Sequence, residues 1–392
     1  MPIASEMRTK ARAYRCIAAF FSVSAFLLVS CSTEDTFEGS SGGWSDLFPD
    51  SALESAVRAH IGKPEGPIYI SDIDTITSLS SVGLNGLDPG IQDLTGIQYV
   101  SALVTLDFYM NPRIRDISPL THLAQLKSLN LGCCDVPGEF ESVVPISHLS
   151  GLTNLCLCNR GIRDLSMLGN LAELEVLDAG INHITDLSPL SALTNLHSLV
   201  LDENQISDLS PVASLHELTY LRAGENQIRD LTPLSELTHL HKLDLGLNGR
   251  LCPNATDAAS PKIPPLQVSA LDSIGRGNLI EDIGPLSGLT ELTELILNEN
   301  FISDLSPLTN LTELTLVWLT GNQISDISPL QGLTNLRDVW LGDNQITNIL
   351  PLVNNPGIGN GDCVWLVHEP LDSVSIYVYI PKLEARGVLV LF

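Results

Sequence analysis

The sequence predicts an α/β solenoid. Each repeat gives one short strand to a curved parallel sheet, 3-10 or irregular turns lie on the convex side, and a cap closes each end. Three observations carry this. The asparagines at 182, 204, 226 and 248, and again at 278, 300, 322 and 344, are spaced by 22 residues except across the step from 248 to 278. Apolar residues set two apart, commonly leucine, precede most of these corners, as Leu295 and Leu297 precede Asn300. An aspartate and a proline recur after it, as Asp304 and Pro307 do. Fixed periods of this length mark units that bury their apolar face only against their neighbours.

Residues 1–30 read as an export signal. The basic stretch "MRTKARAYR" precedes the apolar run "CIAAFFSVSAFLLVS", 15 residues long and short for a membrane span. The run ends in "LVSC", Leu28 to Cys31, which resembles a bacterial lipoprotein signal. That resemblance implies that Cys31 becomes the lipidated first residue of the exported chain. Two or more acyl chains hold a protein stably on a membrane where one does not. Residues 31–47, "CSTEDTFEGSSGGWSDL", are polar and rich in Ser and Gly and read as a flexible tether, with Trp44 packing locally.

Residues 48–75 form the expected N-terminal cap. Asp50 suits a helix N-cap, Leu53, Val57 and Ile61 share one helical face, and Gly62 stops the helix. The repeats follow over 76–355, about twelve units, with Asn111 marking an earlier copy and Pro89, Cys134 and Arg160 at the corner of three weaker ones. The unit "LTELTELILNENFISDLSPLTN", 289–310, shows the logic. Leu295 and Leu297 point to one side of a strand because side chains alternate. Ile302, Leu305 and Leu308 close the core from the return side. Asn300, at the corner, offers donor and acceptor to buried backbone of adjacent turns. Asp304 can accept backbone N–H bonds at the next turn, and Pro307 fixes φ where no ladder bond is lost. The pattern L-x-x-L-x-L-x-x-N followed by I-x-D-[IL]-x-P-L resembles leucine-rich repeats, and the internalin type in particular. The chain thus looks like a bacterial leucine-rich repeat lipoprotein with internalin-type repeats.

Two insertions interrupt the period: 138–145, "GEFESVVP", and the Pro- and Ala-rich 249–277, whose strand "SALDSIGRG" is weak. Residues 356–392 leave the period and resemble a C-terminal cap, with a kinked helix over 372–386, Gly387 ending it and "VLVLF" a final strand. Trp365 is expected in the core of that cap.

Function class follows from charge and from what is missing. The net charge of −26 becomes more negative once four basic residues and one acid in 1–30 are removed. Such a body repels nucleic acid and anionic membrane and suits a basic partner. No H-E-x-x-H or phosphate loop occurs, and "GIGNG" at 357–361 reads as a cap turn. Nine aligned aspartates, one per turn, fall short of the six to eight converging oxygens calcium needs. No enzyme, cofactor or metal is expected. The cysteines leave three readings open: a disulfide between Cys133 and Cys158, plausible in an exported protein; a zinc site, which would need four thiolates to converge; or thiols with no special role.

The face opposite the leucines is the expected recognition surface. One row along it reads Asp107, Asn130, Cys156, Asp178, Val200, Arg222, Asp244, Ile274, Ile296, Trp318 and Trp340. Ile296, Trp318 and Trp340 then form an apolar patch, with Tyr220, Arg222 and Asp244 as further binding residues. Aromatic anchors of this kind concentrate interface energy. The implied function is protein or ligand recognition on the concave face of a lipid-anchored, exported envelope protein, periplasmic or surface-facing. A structural or adhesive envelope component without a discrete ligand is the alternative.

Overall fold

The computed structural model describes residues 47–83, 90–133, 136–247 and 277–392. The export signal, Cys31, the tether up to residue 46, Pro89, Cys134, Asn248, Cys252 and Ile274 lie outside the described residues. Helix α1 (Ser51–Ile61) opens the fold. One carboxylate oxygen of Asp50 accepts the N–H groups of Ala52 and Leu53 at 2.9 and 3.0 Å, and Gly62 ends the helix at φ +66°. The second oxygen accepts from Gln92 and Asp93 at 2.8 and 3.0 Å, so one side chain ties the helix to the first repeat. Leu53 and Val57 are fully buried.

Among the described residues thirteen strands form one parallel sheet in strict chain order. They are β1 (Ser78–Ser80), β2 (Thr105–Asp107), β3 (Ser128–Asn130), β4 (Asn154–Cys156), β5 (Val176–Asp178), β6 (Ser198–Val200) and β7 (Tyr220–Arg222). Then come β8 (Lys242–Asp244), β9 (Glu294–Ile296), β10 (Leu316–Trp318), β11 (Asp338–Trp340), β12 (Cys363–Trp365) and β13 (Leu389–Leu391). Among the described residues no helix is long and apolar enough to cross a membrane.

Each unit closes as its residues dictate. In the unit of β9, Leu295, Leu297, Ile302, Leu305 and Leu308 are all buried. The carboxylate of Asp304 accepts the N–H and the hydroxyl of Ser306, both at 2.8 Å, which starts a 3-10 turn over Ser306–Asn310. Pro307 sits in its first turn, where its missing N–H costs nothing. The Asn300 amide donates to the carbonyls of Leu245, Leu297 and Asn298 and accepts from the N–H groups of Asn278 and Ile280. Glu369 ends this ladder: its carboxylate accepts from Asn344 and Ile346 at 2.5 and 2.6 Å.

Three expectations need correction. The corner after β8 is closed by Asn278, whose amide donates to the Leu245 and Ala223 carbonyls at 2.9 Å. Asn278 therefore serves as the corner of the β8 unit, although the insertion separates the two in sequence. Strand β8 pairs directly with β9, Asp244 beside Ile296. Second, the tail adds two strands to the same sheet, and β12 places Trp365 beside Trp340, on the outer face of the sheet, outside the cap core. Third, the last helix begins as a π turn over Ser375–Tyr379 before α-helical Ile380–Ala385. Pro381 supplies no N–H and its ring crowds the preceding turn, and the wider turn accommodates it.

Candidate functional site

Strand register builds one continuous outward-facing row: Ser80, Asp107, Asn130, Cys156, Asp178, Val200, Arg222, Asp244, Ile296, Trp318, Trp340, Trp365 and Leu391. It divides into three chemically different stretches.

The last stretch is an aromatic ladder. The Trp318 and Trp340 rings lie 5.9 Å apart at 45°, and those of Trp340 and Trp365 stack at 5.1 Å and 19°. All three side chains are half-buried, as is Ile296 beside them. Trp318 donates its indole N–H to the Thr320 hydroxyl at 3.1 Å. Trp365 packs against Gly342, where a β-carbon would meet the ring and the Val367 carbonyl at 2.8 Å, so glycine there is a packing requirement. Carboxylates border the ladder. Glu294 and Asp338 stand two residues before Ile296 and Trp340 on the same face, and Glu299 and Asp343 mark the corner side. Burial, and then the Asp343 charge, push the Glu299 pKa up. Glu294 pairs with Lys242 at 3.3 Å and Asp343 with His368 at 2.8 Å.

The middle stretch is a buried ion network. Arg222 donates to Asp202 at 2.8 Å, and its Nε lies 3.5 Å from Asp244, an ion-pair contact too long for a good hydrogen bond. Arg222 and Asp244 are only 5% and 7% exposed, which corrects their expected role as open binding residues. Burial disfavours the Arg222 charge, but Asp202 and Asp244 outweigh it and raise its pKa overall. Burial also raises the Tyr220 and Asp202 pKa values against the pull of Arg222, and the Asp244 and Asp202 charges add to the rise at Tyr220. Tyr220 is half-buried over this network.

The first stretch holds thiols. Cys133, Cys156, Cys158 and Cys363 are present as thiols. The Cys133 N–H donates to the Cys158 carbonyl at 3.0 Å, so the two residues are neighbours on adjacent turns, as expected. Cys156, Cys158 and the Asp178 carboxylate bring their donor atoms within 4.8 Å of one another. Cys156 Sγ stands 3.5 Å from Asp178 Oδ2. The hydrogen bond to Cys158, then burial, raise the Cys156 pKa well above normal, and burial moves Asp178 up to about 6. Arg160 occupies the corner position that asparagine holds elsewhere. Its guanidinium donates to the Leu131 and Asn111 carbonyls and lies 4.9 Å from the centre of the Phe140 ring, so the 138–145 insertion packs over it. Burial lowers its pKa to about 10 against the opposing pull of Cys133, Cys158 and Cys156.

Two of these residues were missed as site residues. Trp365 follows Trp340 by 25 residues, off the period, and nothing in its local sequence signals a strand. Asp178 follows Cys156 in the row, but one carboxylate beside two thiols has no sequence signature until strand pairing sets it there.

Comparison with known proteins agrees with the fold. The family profile "Leucine Rich repeats (2 copies)" matches residues 172–214 and 309–354. No curated protein matches the chain. Among solved structures, an internalin from Listeria monocytogenes is similar at 29% identity, covering 88% of this chain and 90% of that one, with a TM-score of 0.71. A leucine-rich-repeat protein from Leptospira interrogans is 23% identical over 76% of this chain and 74% of its own, with a TM-score of 0.57. A plant peptide hormone receptor, solved in complex with RGF2, is 19% identical over 78% of this chain and 46% of its own, with a TM-score of 0.55. An open parallel sheet of short strands, 3-10 turns opposite and an asparagine ladder between them complete the same picture: the chain folds as a leucine-rich-repeat solenoid similar to that of the internalin.

Proposed function

We propose that the chain recognises a basic protein or peptide segment on the outer face of its sheet, with Trp318, Trp340 and Trp365 as anchors and Ile296 extending the patch. The carrying observation is the three-indole ladder, half-exposed in a chain otherwise poor in aromatic residues. Bordering carboxylates and the net charge of −26 favour Arg and Lys side chains laid on the indole faces. Each such contact contributes about 0.5–2 kcal/mol, depending on how dry the site becomes. Arg222 is engaged by Asp202 and Asp244 in the buried network, so Arg222 and Asp244 support the face and do not contact the ligand.

From the sequence motif alone we further propose that Cys31 carries lipid and that the repeats are displayed from a bacterial envelope membrane. Acyl-label incorporation lost on Cys31→Ser supports this, and incorporation that survives the change contradicts it.

The recognition reading is tested by titrating the full chain with an oligo-arginine peptide and with a length-matched oligo-glutamate peptide, following indole fluorescence. Binding of the basic peptide alone, weakened at least about tenfold by Trp340→Ala, is expected. Equal affinity in a Trp318→Ala/Trp340→Ala double variant with unchanged thermal unfolding overturns it and puts the structural or adhesive role ahead.

A further inference from the structure

The geometry points to a zinc-class metal site formed by Cys156, Cys158 and Asp178, bridging strands β4 and β5. The three donor atoms lie within 4.8 Å of one another, and all three residues are buried. Tetrahedral zinc, with Zn–S about 2.3 Å and Zn–O about 2.0 Å, sets a ligand sulfur and a ligand oxygen about 3.5 Å apart. The Cys156 Sγ to Asp178 Oδ2 distance is 3.5 Å.

The surroundings are shaped for it. The two sulfurs stand over the backbone of Gly132, where a β-carbon would meet them at 2.7 and 2.8 Å, so only glycine leaves that room. Two thiolates and a carboxylate carry three negative charges against two on the metal. The buried guanidinium of Arg160 supplies the remaining positive charge within electrostatic reach of the thiols. Among the described residues its Nη1 has no hydrogen-bond partner. Two sulfurs with one oxygen select a borderline-soft ion over calcium or magnesium. Three protein ligands leave one position for water or for a group from outside, and the half-buried Tyr109 packs against the two cysteines.

The site is independent of the tryptophan ladder, and so is its test. The full chain, reduced and freed of metal under anaerobic conditions, is titrated with Co²⁺ as the spectroscopic probe and then with Zn²⁺. One equivalent of Co²⁺ is expected to give tetrahedral ligand-field bands with thiolate-to-cobalt charge transfer, bleached by Zn²⁺. Cys156→Ser and Asp178→Asn should each weaken binding by more than about 100-fold, beyond the effect of an outer-shell group, while Cys363→Ser changes nothing. The wild-type spectrum alone decides if a variant fails to fold. Absence of charge transfer at one equivalent overturns the site, as does a band that survives Cys156→Ser. A Cys133–Cys158 disulfide recovered by peptide mapping of the protein as isolated also overturns it, because it removes one of the two sulfurs.

Discussion

Replacing Asn182 by Ala should destabilise the protein about twice as much as the same change at Asn204, although both are buried corner residues of successive repeats. The Asn204 amide accepts from the Ile184 N–H at 2.9 Å and donates to the carbonyls of Ala179, Leu201 and Asp202. Ala179 and Leu201 each keep a second amide donor, from Asn182 and Asn226 respectively. Asn204→Ala therefore strands one buried N–H, which costs about 1–3 kcal/mol. Asn182 accepts from two backbone groups, Arg160 and Ile162, both at 3.0 Å. It also donates to the Leu157 carbonyl at 3.1 Å, which receives no second ladder amide because Arg160 stands at that corner. Asn182→Ala strands two N–H groups, at least about 4 kcal/mol against about 2 for Asn204→Ala, and the stranded carbonyl adds to that loss. Urea unfolding of both variants, compared at matched m-values, measures the difference. Equal losses, or a larger loss at Asn204, would refute the claim that the ladder's strength lies in shared acceptors.

Three further outcomes follow from single contacts. Asp50→Ala should cost about 2 kcal/mol at neutral pH, the upper end for a helix cap, since it also releases Gln92 and Asp93. Burial opposes its charge, but four backbone N–H bonds outweigh that and lower its pKa below 3.8. Its contribution is therefore present above its unfolded pKa and lost as pH falls through the folded one, so wild type and variant should converge in acid unfolding. Arg222→Ala should cost about 3–5 kcal/mol, because Asp202 and Asp244 are left buried without their cation, and adding Asp202→Asn should recover part of it. Gly342→Ala should lift the Trp365 ring from its seat, changing the near-ultraviolet dichroism of the stacked indoles and costing about 1–3 kcal/mol.

Much of the fold was legible because each unit repeats the same physical solution. Paired leucines, the corner asparagine and the Asp-x-x-Pro turn recur often enough that one unit explains the rest. The errors fall where repetition stops. Asn248 carries the right spacing after Asn226, but the corner after β8 is closed by Asn278, which only its amide contacts reveal. Trp365 belongs to a strand whose hydrogen bonds come from β11 and β13, a tertiary cause with no local signature. At the candidate sites, the row order was readable from register, but burial was not. Arg222 and Asp244 stand on the outer face yet are covered by their own pairing. Asp178 meets the cysteines because parallel pairing sets it beside Cys156.

The central claim is that ligand contact falls on the indole ladder. Hydroxyl-radical footprinting of the full chain, with and without the oligo-arginine peptide, reads this residue by residue. Protection of Trp318, Trp340 and Trp365 together, with the 3-10 turns of the opposite face unchanged, is the predicted result. Peptide binding that leaves all three tryptophans as reactive as before would contradict it.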